Sequence, residues 1–225
     1  MGTSRILALS ALLLAACGGG SPAPQAAAPG VELKAPAGIY KLDPHHASVT
    51  FRLQHMGLAD YVARFTKFDV TVKLDPANMA NSAVEVSIDP KSVRTDYLGD
   101  FKATHQGSPY GSFEERISRE EKLLNSDKFS AITFKSTRVE PGGAGKLRIT
   151  GDLGFLGQAH PVTLDATLTG SYEKHPFAGH GAFGFAATTT FNRSEWGMTG
   201  TQQFLGDAVT VDFNGEFNQQ VEAAP

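Results

Sequence analysis

The 225-residue chain contains 41% hydrophobic and 19% charged residues, a globular balance that excludes an intrinsically disordered protein. Its net charge of -3 and the lack of a Lys/Arg run exclude a nucleic-acid-binding surface, which needs a basic patch. The 15 Phe and 24 Gly residues favour an all-β domain, because Phe suits half-buried pleated surfaces and Gly suits turns.

The N-terminus predicts an export signal over residues 1–17. One charge, Arg5, precedes an apolar run that ends in the sequence LAAC. The run is shorter than the roughly 20 apolar residues that span a bilayer and is typical of a signal peptide. Its end resembles the bacterial lipobox, so we expect a lipid on Cys17 that anchors the protein in a membrane. A simple signal peptide with an incidental cysteine is the alternative.

The expected location of the anchored protein is the periplasmic side of a membrane. The outer membrane is favoured over the inner one, because Gly18 after Cys17 gives no acidic retention signal. Residues 18–38 are rich in Gly, Ala and Pro and predict a flexible linker, since they cannot bury enough surface to fold. The folded domain is predicted over 39–219, with 220–225 as a C-terminal tail.

From Ile39 onward, apolar and polar residues alternate in about eight segments, which predicts strands with one buried face. Within 62–74 the alternation changes phase, which predicts a bulge or sharp bend near Thr66–Lys67. Only Glu114–Leu124 fits a helix, and an irregular loop, Tyr97–Phe113, precedes it.

Eight antiparallel strands with one apolar face favour a closed barrel, because closure removes exposed strand edges. A sandwich is the alternative. A barrel of about eight strands has an interior that holds either side chains or one slender ligand. The predicted fold class is therefore an all-β, antiparallel eight-stranded barrel with one short helix.

Several short stretches, taken in order, carry a family resemblance. They are Tyr40–Asp43, Ser48–Phe51, Ser82–Asp89, Lys128–Thr137, Ile149–Leu153, Pro161–Leu164 and Thr188–Met198. Their order and spacing over about Ile39–Phe217 resemble the YceI-like, polyisoprenoid-binding family, which is described as a lipocalin-like barrel. Two departures concern the loop Tyr97–Arg119, which is longer than expected, and Lys122–Asp127, which lacks a His or Arg that family members usually carry. The resemblance implies an elongated internal cavity that accepts an isoprenoid chain.

The predicted ligand-binding residues are apolar positions on the inward faces of the strands. They are Phe51, Leu53, Phe65, Phe134, Phe155, Phe183, Phe185, Phe191 and Phe213. Ordinary core packing is the alternative for each of them. His55 shares a face with Phe51, and it is a candidate contact to a ligand headgroup or else a core histidine. Arg193 is expected to anchor a turn, and it is also the second candidate for a contact to the headgroup.

Catalysis and metal binding have little support in the sequence. It contains no GxSxG or HExxH motif, and its one cysteine lies outside the predicted domain. The seven histidines lack the spacing of a zinc site. We therefore expect no enzyme activity, no metal and no cofactor other than a bound isoprenoid lipid.

The expected function is that of a periplasmic carrier or sequestering lipoprotein for a polyisoprenoid or quinone-like lipid. A structural or partner-binding barrel with a filled interior is the alternative, and a lipid hydrolase is a third, less supported one. The expected partners are the lipid and, through the anchor, a membrane, but no nucleic acid. The sequence leaves a homodimer open.

Overall fold

The computed structural model describes residues 31–221. The predicted signal peptide, Cys17 and residues 18–30 of the predicted linker lie outside these residues, as do residues 222–225 of the tail. The remaining part of the predicted linker, 31–38, contacts the barrel. The amides of Lys34 and Ala35 donate to the Ser171 hydroxyl at 2.8 and 2.9 Å, and Ala35 is buried.

The described residues form ten strands. They are β1 (Gly38–His55), β2 (Ala59–Phe65), β3 (Phe68–Leu74), β4 (Ala83–Ile88), β5 (Val93–Thr95), β6 (Ile132–Gly143), β7 (Lys146–Phe155), β8 (Gln158–Tyr172), β9 (Ala182–Asn192) and β10 (Ala208–Gln219). Two short α-helices lie between β5 and β6, namely α1 (Phe101–Thr104) and α2 (Phe113–Arg119). Single turns of 3₁₀-helix cover Met79–Asn81, Pro90–Ser92 and Arg193–Trp196. No helix in 31–221 has both the length and the apolar character needed to cross a membrane.

Eight of the strands close into an antiparallel barrel, which confirms the predicted fold class. Their order around the barrel is β1, β3, β4, β6, β7, β8, β9 and β10, and β10 pairs with β1 to close it. The other two strands extend from the ring, since β2 pairs with the second half of β1 and β5 pairs with β2. Closure leaves the ring strands without exposed edges.

Strand β1 is long enough to pair with two different strands on the same side. Gly38–Lys41 pair with β3, whereas Val49–His55 pair with β2. The chain interrupts its pairing between β2 and β3 at Thr66–Lys67, where the sequence predicts a bend. The predicted bend is confirmed. It redirects the chain from β2, which extends from the ring, into β3, which is part of the barrel wall.

The two ends of the barrel differ, and we call them the base and the mouth. The base holds Gly38, the β6–β7 turn and the β8–β9 loop. Phe183 stacks on Phe217 there, with ring centroids 5.0 Å apart, and Tyr40 packs on Phe183 at 4.8 Å. The Tyr40 hydroxyl donates to the Pro36 carbonyl at 2.7 Å. These fully packed rings fill the interior at the base.

The mouth is formed by the β1–β2 turn, the segment between β5 and β6, and the β9–β10 loop. The predicted helix 114–124 is shorter in the structure, since α2 ends at Arg119. Ser112 caps it by accepting from the Glu115 amide at 3.1 Å, and the chain then leaves helical geometry at Glu120. Leu124, beyond the helix, is buried against the barrel core. The helix α1, within the predicted irregular loop, is an element that the sequence did not predict.

Candidate ligand cavity

An apolar cavity of about 740 Å³ occupies the barrel between the packed base and the mouth. Its volume falls within the roughly 300–1,000 Å³ of pockets that hold small organic ligands. Its wall is almost entirely hydrocarbon, contributed by Phe, Leu, Ile and Val side chains from the ring strands and from β2. The wall therefore suits an apolar guest that requires few hydrogen bonds.

The alternation of β9 shows how the sequence builds this wall. Phe185, Ala187, Thr189 and Phe191 line the cavity, because every second side chain of a strand faces the same side. Ala187 pairs across the strands with Ala166 of β8, which also lines the cavity. The cavity wall at this point therefore consists of two methyl groups, and larger side chains at these two positions would fill the interior.

Most of the predicted apolar site residues line the cavity. Those that do so are Phe51, Leu53, Phe65, Phe134, Phe155, Phe185, Phe191 and Phe213. Phe183 does not line it, although it has the same phase on β9. Its ring belongs to the packed base between Tyr40 and Phe217. That these residues bind a ligand stays a prediction.

His55 lies where β1 reaches the mouth, and its side chain lines the cavity while remaining largely exposed. The residue pairs with Leu205 of the β9–β10 loop in an isolated bridge. This position at the opening agrees with a contact to the polar end of a ligand, which remains a prediction.

Arg193 borders the cavity, but its guanidinium is held by the β9–β10 loop. With 1% of its surface exposed, it donates from Nε to the Gly206 carbonyl, from Nη1 to the Met198 carbonyl and Thr201 Oγ1, and from Nη2 to the Leu205 carbonyl, all within 3.0 Å. Burial lowers its pKa, and the neighbouring Asp207 carboxylate opposes that effect. The structure thus favours the turn-anchoring role, with one donor on Nη2 left for other contacts.

Tyr61 is a cavity residue that the sequence reading missed. Its hydroxyl is buried near the Thr95 side chain, yet it makes no hydrogen bond of normal geometry with a described residue. Burial raises the pKa of Tyr61 to about 12, so the phenol is neutral at physiological pH. Tyr61, Ala63 and Phe65 alternate on β2, and a strand predicted from residue 59 instead of 62 would have included Tyr61.

An aromatic cluster from the β5–β6 segment covers one side of the mouth. The Phe113 ring lies 4.9 Å from Tyr97, 5.2 Å from His105 and 5.6 Å from Phe101, while Phe101 stacks on His105 at 4.6 Å. Tyr97, His105 and Phe113 also line the cavity. No periodicity marks these residues in the sequence, because they come together through a loop and two short helices.

Away from the cavity, one group of side chains within 31–221 has metal-ligand chemistry. His46 Nδ1 lies 3.0 Å from Asp43 Oδ2 and 4.0 Å from Glu216 Oε2 at the surface. The hydrogen bond between them lowers the pKa of Asp43 and raises the pKa of His46. The group is an exposed hydrogen-bonded pair at the bulge of β1, with Glu216 beside it.

Comparison with known proteins agrees with this architecture. The model of the family described as "YceI-like domain" matches residues 40–217. A UPF0312 protein of Vibrio cholerae (strain M66-2) is 31% identical over 189 residues, which are 83% of this chain and 89% of that protein. A UPF0312 protein of Shewanella sp. (strain ANA-3) is 32% identical over 189 residues, 83% of this chain and 86% of that protein.

Solved structures share the fold. BcnA of Burkholderia cenocepacia has a TM-score of 0.61 at 21% identity, covering 78% of this chain and 98% of that one. The YCEI protein of Campylobacter jejuni has a TM-score of 0.60 at 20% identity, covering 75% and 90%. A polyisoprenoid binding domain from Saccharophagus degradans has a TM-score of 0.55 at 13% identity, covering 80% and 98%. By the family match and the identity to its relatives, the chain belongs to the YceI-like family.

Proposed function

We propose that the barrel binds one long apolar lipid with an isoprenoid chain and performs no chemistry on it. The observation that carries this proposal is the hydrocarbon-lined cavity of about 740 Å³ that begins above the packed base and reaches the mouth. Burial of apolar surface contributes roughly 25 cal/mol per Å², and an isoprenoid chain offers such surface without polar groups. The printed name of the Saccharophagus degradans neighbour, a polyisoprenoid binding domain, supports the same ligand class.

The polar groups of the wall favour a ligand whose polar end is uncharged. Two arginines line the cavity among the described residues, and both are engaged. Arg116 Nε pairs with Glu120 at 2.7 Å, and Arg193 is held by its loop. A phosphate would have to displace these partners or bind through the few remaining donors. The neutral Tyr61 phenol and His55 instead suit an alcohol, phenol or quinone.

The proposed role is that of a carrier or sequestering lipoprotein on the periplasmic side of a membrane. Its support is the sequence of residues 1–17 and the position of Cys17. The Cys17→Ser variant tests this role. We expect wild-type protein in the membrane fraction of the cell and the variant in the soluble periplasmic fraction. Equal distribution of the two proteins would contradict the anchor.

The ligand is tested by native purification, organic extraction and mass spectrometry. We expect an isoprenoid lipid in stoichiometric amount with the wild type. Ala187→Trp should abolish its recovery, because the indole would occupy the space that the Ala166–Ala187 pair leaves open. Ala186→Trp is the matched control, since Ala186 lines a groove on the outer face of the same strand. Repeated absence of lipid from the wild type, or equal recovery from both variants, would contradict the proposal.

A further inference from the structure

Four large apolar side chains at the tips of the mouth loops are exposed, and together we call them the rim. Leu98 is 100% exposed, Leu58 84%, Met56 58% and Phe204 50%. They come from three different segments of the chain, namely the β1–β2 turn, the β5–α1 connection and the β9–β10 loop. Exposed apolar groups that gather at one end of a domain indicate an interaction surface.

Hydrogen bonds and ring contacts hold these loops together. The Met56 amide donates to the Phe204 carbonyl at 2.7 Å. Tyr97, next to Leu98, contacts Phe113, whose ring lies 6.0 Å from Tyr61 on β2. The rim is therefore a property of one assembled end of the barrel.

The β1–β2 turn, which carries two of the rim residues, has a strained backbone. Met56 has a φ of 53° and Gly57 a φ of 69°, and the Leu58 amide donates to the His55 carbonyl at 3.0 Å. A β-turn with positive φ at both central residues favours Asn or Asp before the Gly, and a left-handed conformation costs other residues about 1–2 kcal/mol. Met56 therefore has a strained backbone conformation and an exposed side chain, so a contribution to folding stability does not explain why a methionine occupies this position.

The loop tips also carry no charge. Residues 56–58, 97–99 and 202–206 contain no Asp, Glu, Lys or Arg. A charged side chain costs about 2.5–3.5 kcal/mol when it enters the centre of a bilayer, so uncharged tips are a requirement for entering lipid. The rim adjoins the cavity, because Phe204, Leu205 and Tyr97 belong to the cavity wall as well.

We propose that the rim inserts into the surface of a phospholipid bilayer, and that the ligand moves between bilayer and cavity through the mouth. The second half of this statement rests on the proposed lipid-binding function. A bilayer is the occupant that the chemistry favours, because the four rim side chains are Leu, Met and Phe, whereas the anchors of protein interfaces are enriched in Trp, Tyr and Arg. The adjacent Tyr97 packs on Phe113. The residues flanking Leu98 include Asp96, Asp100 and Lys102, a mixed set that matches a zwitterionic surface better than an anionic one.

Insertion is tested with a polarity-sensitive fluorophore on single cysteines. Cys17 is the only cysteine, so the full chain carrying Cys17→Ser is a clean background for Leu98→Cys and, at the base, Phe177→Cys. Phe177 is 94% exposed and makes a matched control. With protein-free phosphatidylcholine vesicles we expect the emission of the label at 98 to shift to shorter wavelength and that of the label at 177 to stay unchanged. No shift at 98 would overturn the proposal and would favour a protein partner at the mouth.

Ligand passage is tested separately, with all-trans-retinol as the isoprenoid probe. Trp196, the only tryptophan, packs on Phe191 of the cavity wall at 4.9 Å, so energy transfer from it reports bound retinol. We expect transfer to phosphatidylcholine vesicles to accelerate with vesicle concentration. The double variant Leu58→Asp, Leu98→Asp should slow it several-fold, whereas Phe177→Asp should not.

The two tests separate failure of this inference from failure of the proposed function. Retinol affinity without vesicles should be the same in the wild type and in both Asp variants. If retinol binds but the rate of its transfer does not depend on vesicle concentration, the rim proposal is overturned and lipid binding stands. If no isoprenoid binds while the label at 98 enters the bilayer, lipid binding fails and docking stands.

Discussion

Arg193 illustrates how one buried side chain can organise a loop that forms part of the mouth. Its guanidinium donates hydrogen bonds to three backbone carbonyls of the β9–β10 loop, which lie outside the strand ladders. The sequence predicted a role for Arg193 from its place after a strand. It favoured the turn over the headgroup but could not show which groups the guanidinium reaches, because these lie on a loop that returns to the residue from up to thirteen positions away.

Replacing Arg193 should destabilise the fold. Arg193→Met leaves buried carbonyls without donors, and each such group costs about 1–3 kcal/mol. We expect the free energy of unfolding, measured by urea titration, to fall by about 3 kcal/mol. The control is Arg138→Met, which removes an exposed pair with Glu140 of the kind worth about 0–1 kcal/mol. Equal losses in both variants would contradict the anchoring role.

The surface pair of Asp43 and His46 makes a pH-dependent prediction. The hydrogen bond that the His46 ring donates to the Asp43 carboxylate raises the pKa of His46 above 6.5, and the same bond lowers the pKa of Asp43. The stabilising contribution of His46 is present below its unfolded pKa and is lost as pH rises through the raised folded pKa. That of Asp43 is present above its unfolded pKa and is lost as pH falls through the lowered folded pKa.

NMR titration of the His46 ring checks this prediction. We expect the pKa of His46 to decrease in Asp43→Asn, because the carboxylate that favours the charged ring is gone. Asp69→Asn, which breaks the separate pair with Lys41, should leave the pKa of His46 unchanged. An unaltered titration in Asp43→Asn would show that the pair does not persist in solution.

At the level of elements, strand alternation was the informative signal. The phase change in 62–74 located the break between β2 and β3, because a bend must switch which side chains face inward. Alternation gave no information on the β5–β6 segment, whose residues Tyr97, His105 and Phe113 meet only after α1 and α2 are folded. Alternation also assigned Phe183 to the same predicted ligand-binding set as Phe185. The phase of a residue identifies the face of the strand that it occupies but not its height along the barrel axis.

The pairing of β6 with β7 depends on a close approach at Gly151. The register shifts between Ser136 and Arg138 opposite this residue. A Cβ atom there would lie 2.4 Å from the Lys135 carbonyl oxygen and 2.6 Å from the Phe134 ring. Any side chain at 151 would therefore displace both the strand pairing and a cavity-lining ring.

We expect Gly151→Ala to lower the free energy of unfolding by about 1–3 kcal/mol, as overpacked sites do. Gly170→Ala in β8 is the control, because nothing lies within 4 Å of the added methyl group. Thermal unfolding followed by circular dichroism measures both. If Gly151→Ala proves as stable as Gly170→Ala, the close approach is not a constraint in solution.

For the whole molecule, the sequence could predict the barrel but not whether it is hollow. Strand count and alternation are the same for a filled and an open interior. The difference comes from which inward residues face one another, such as the small Ala166–Ala187 pair in the cavity wall and the large Phe183–Phe217 pair at the base. Such pairings depend on register, which periodicity does not determine.

A hollow barrel should gain stability when its interior is occupied. With geranylgeraniol at about a hundred times its dissociation constant, we expect the free energy of unfolding to rise by about 2.7 kcal/mol through mass action. Differential scanning calorimetry should show this rise for the wild type and for Ala186→Trp. Ala187→Trp should show none, and a rise in that variant would place the alcohol outside the cavity.

The packing of residues 31–38 against the base has a consequence for reach. A lipid on Cys17 would be joined to the end of the barrel opposite its opening by residues 18–30, which extend at most about 45 Å. The eighteen residues of β1, of which three are taken up by its bulge and the rest are tilted as barrel strands are, rise by a similar distance, about 40 Å. For the mouth to reach the membrane that holds such an anchor, the domain would have to turn over with residues 18–30 almost fully extended, so the length of this segment would limit which bilayer the mouth can contact.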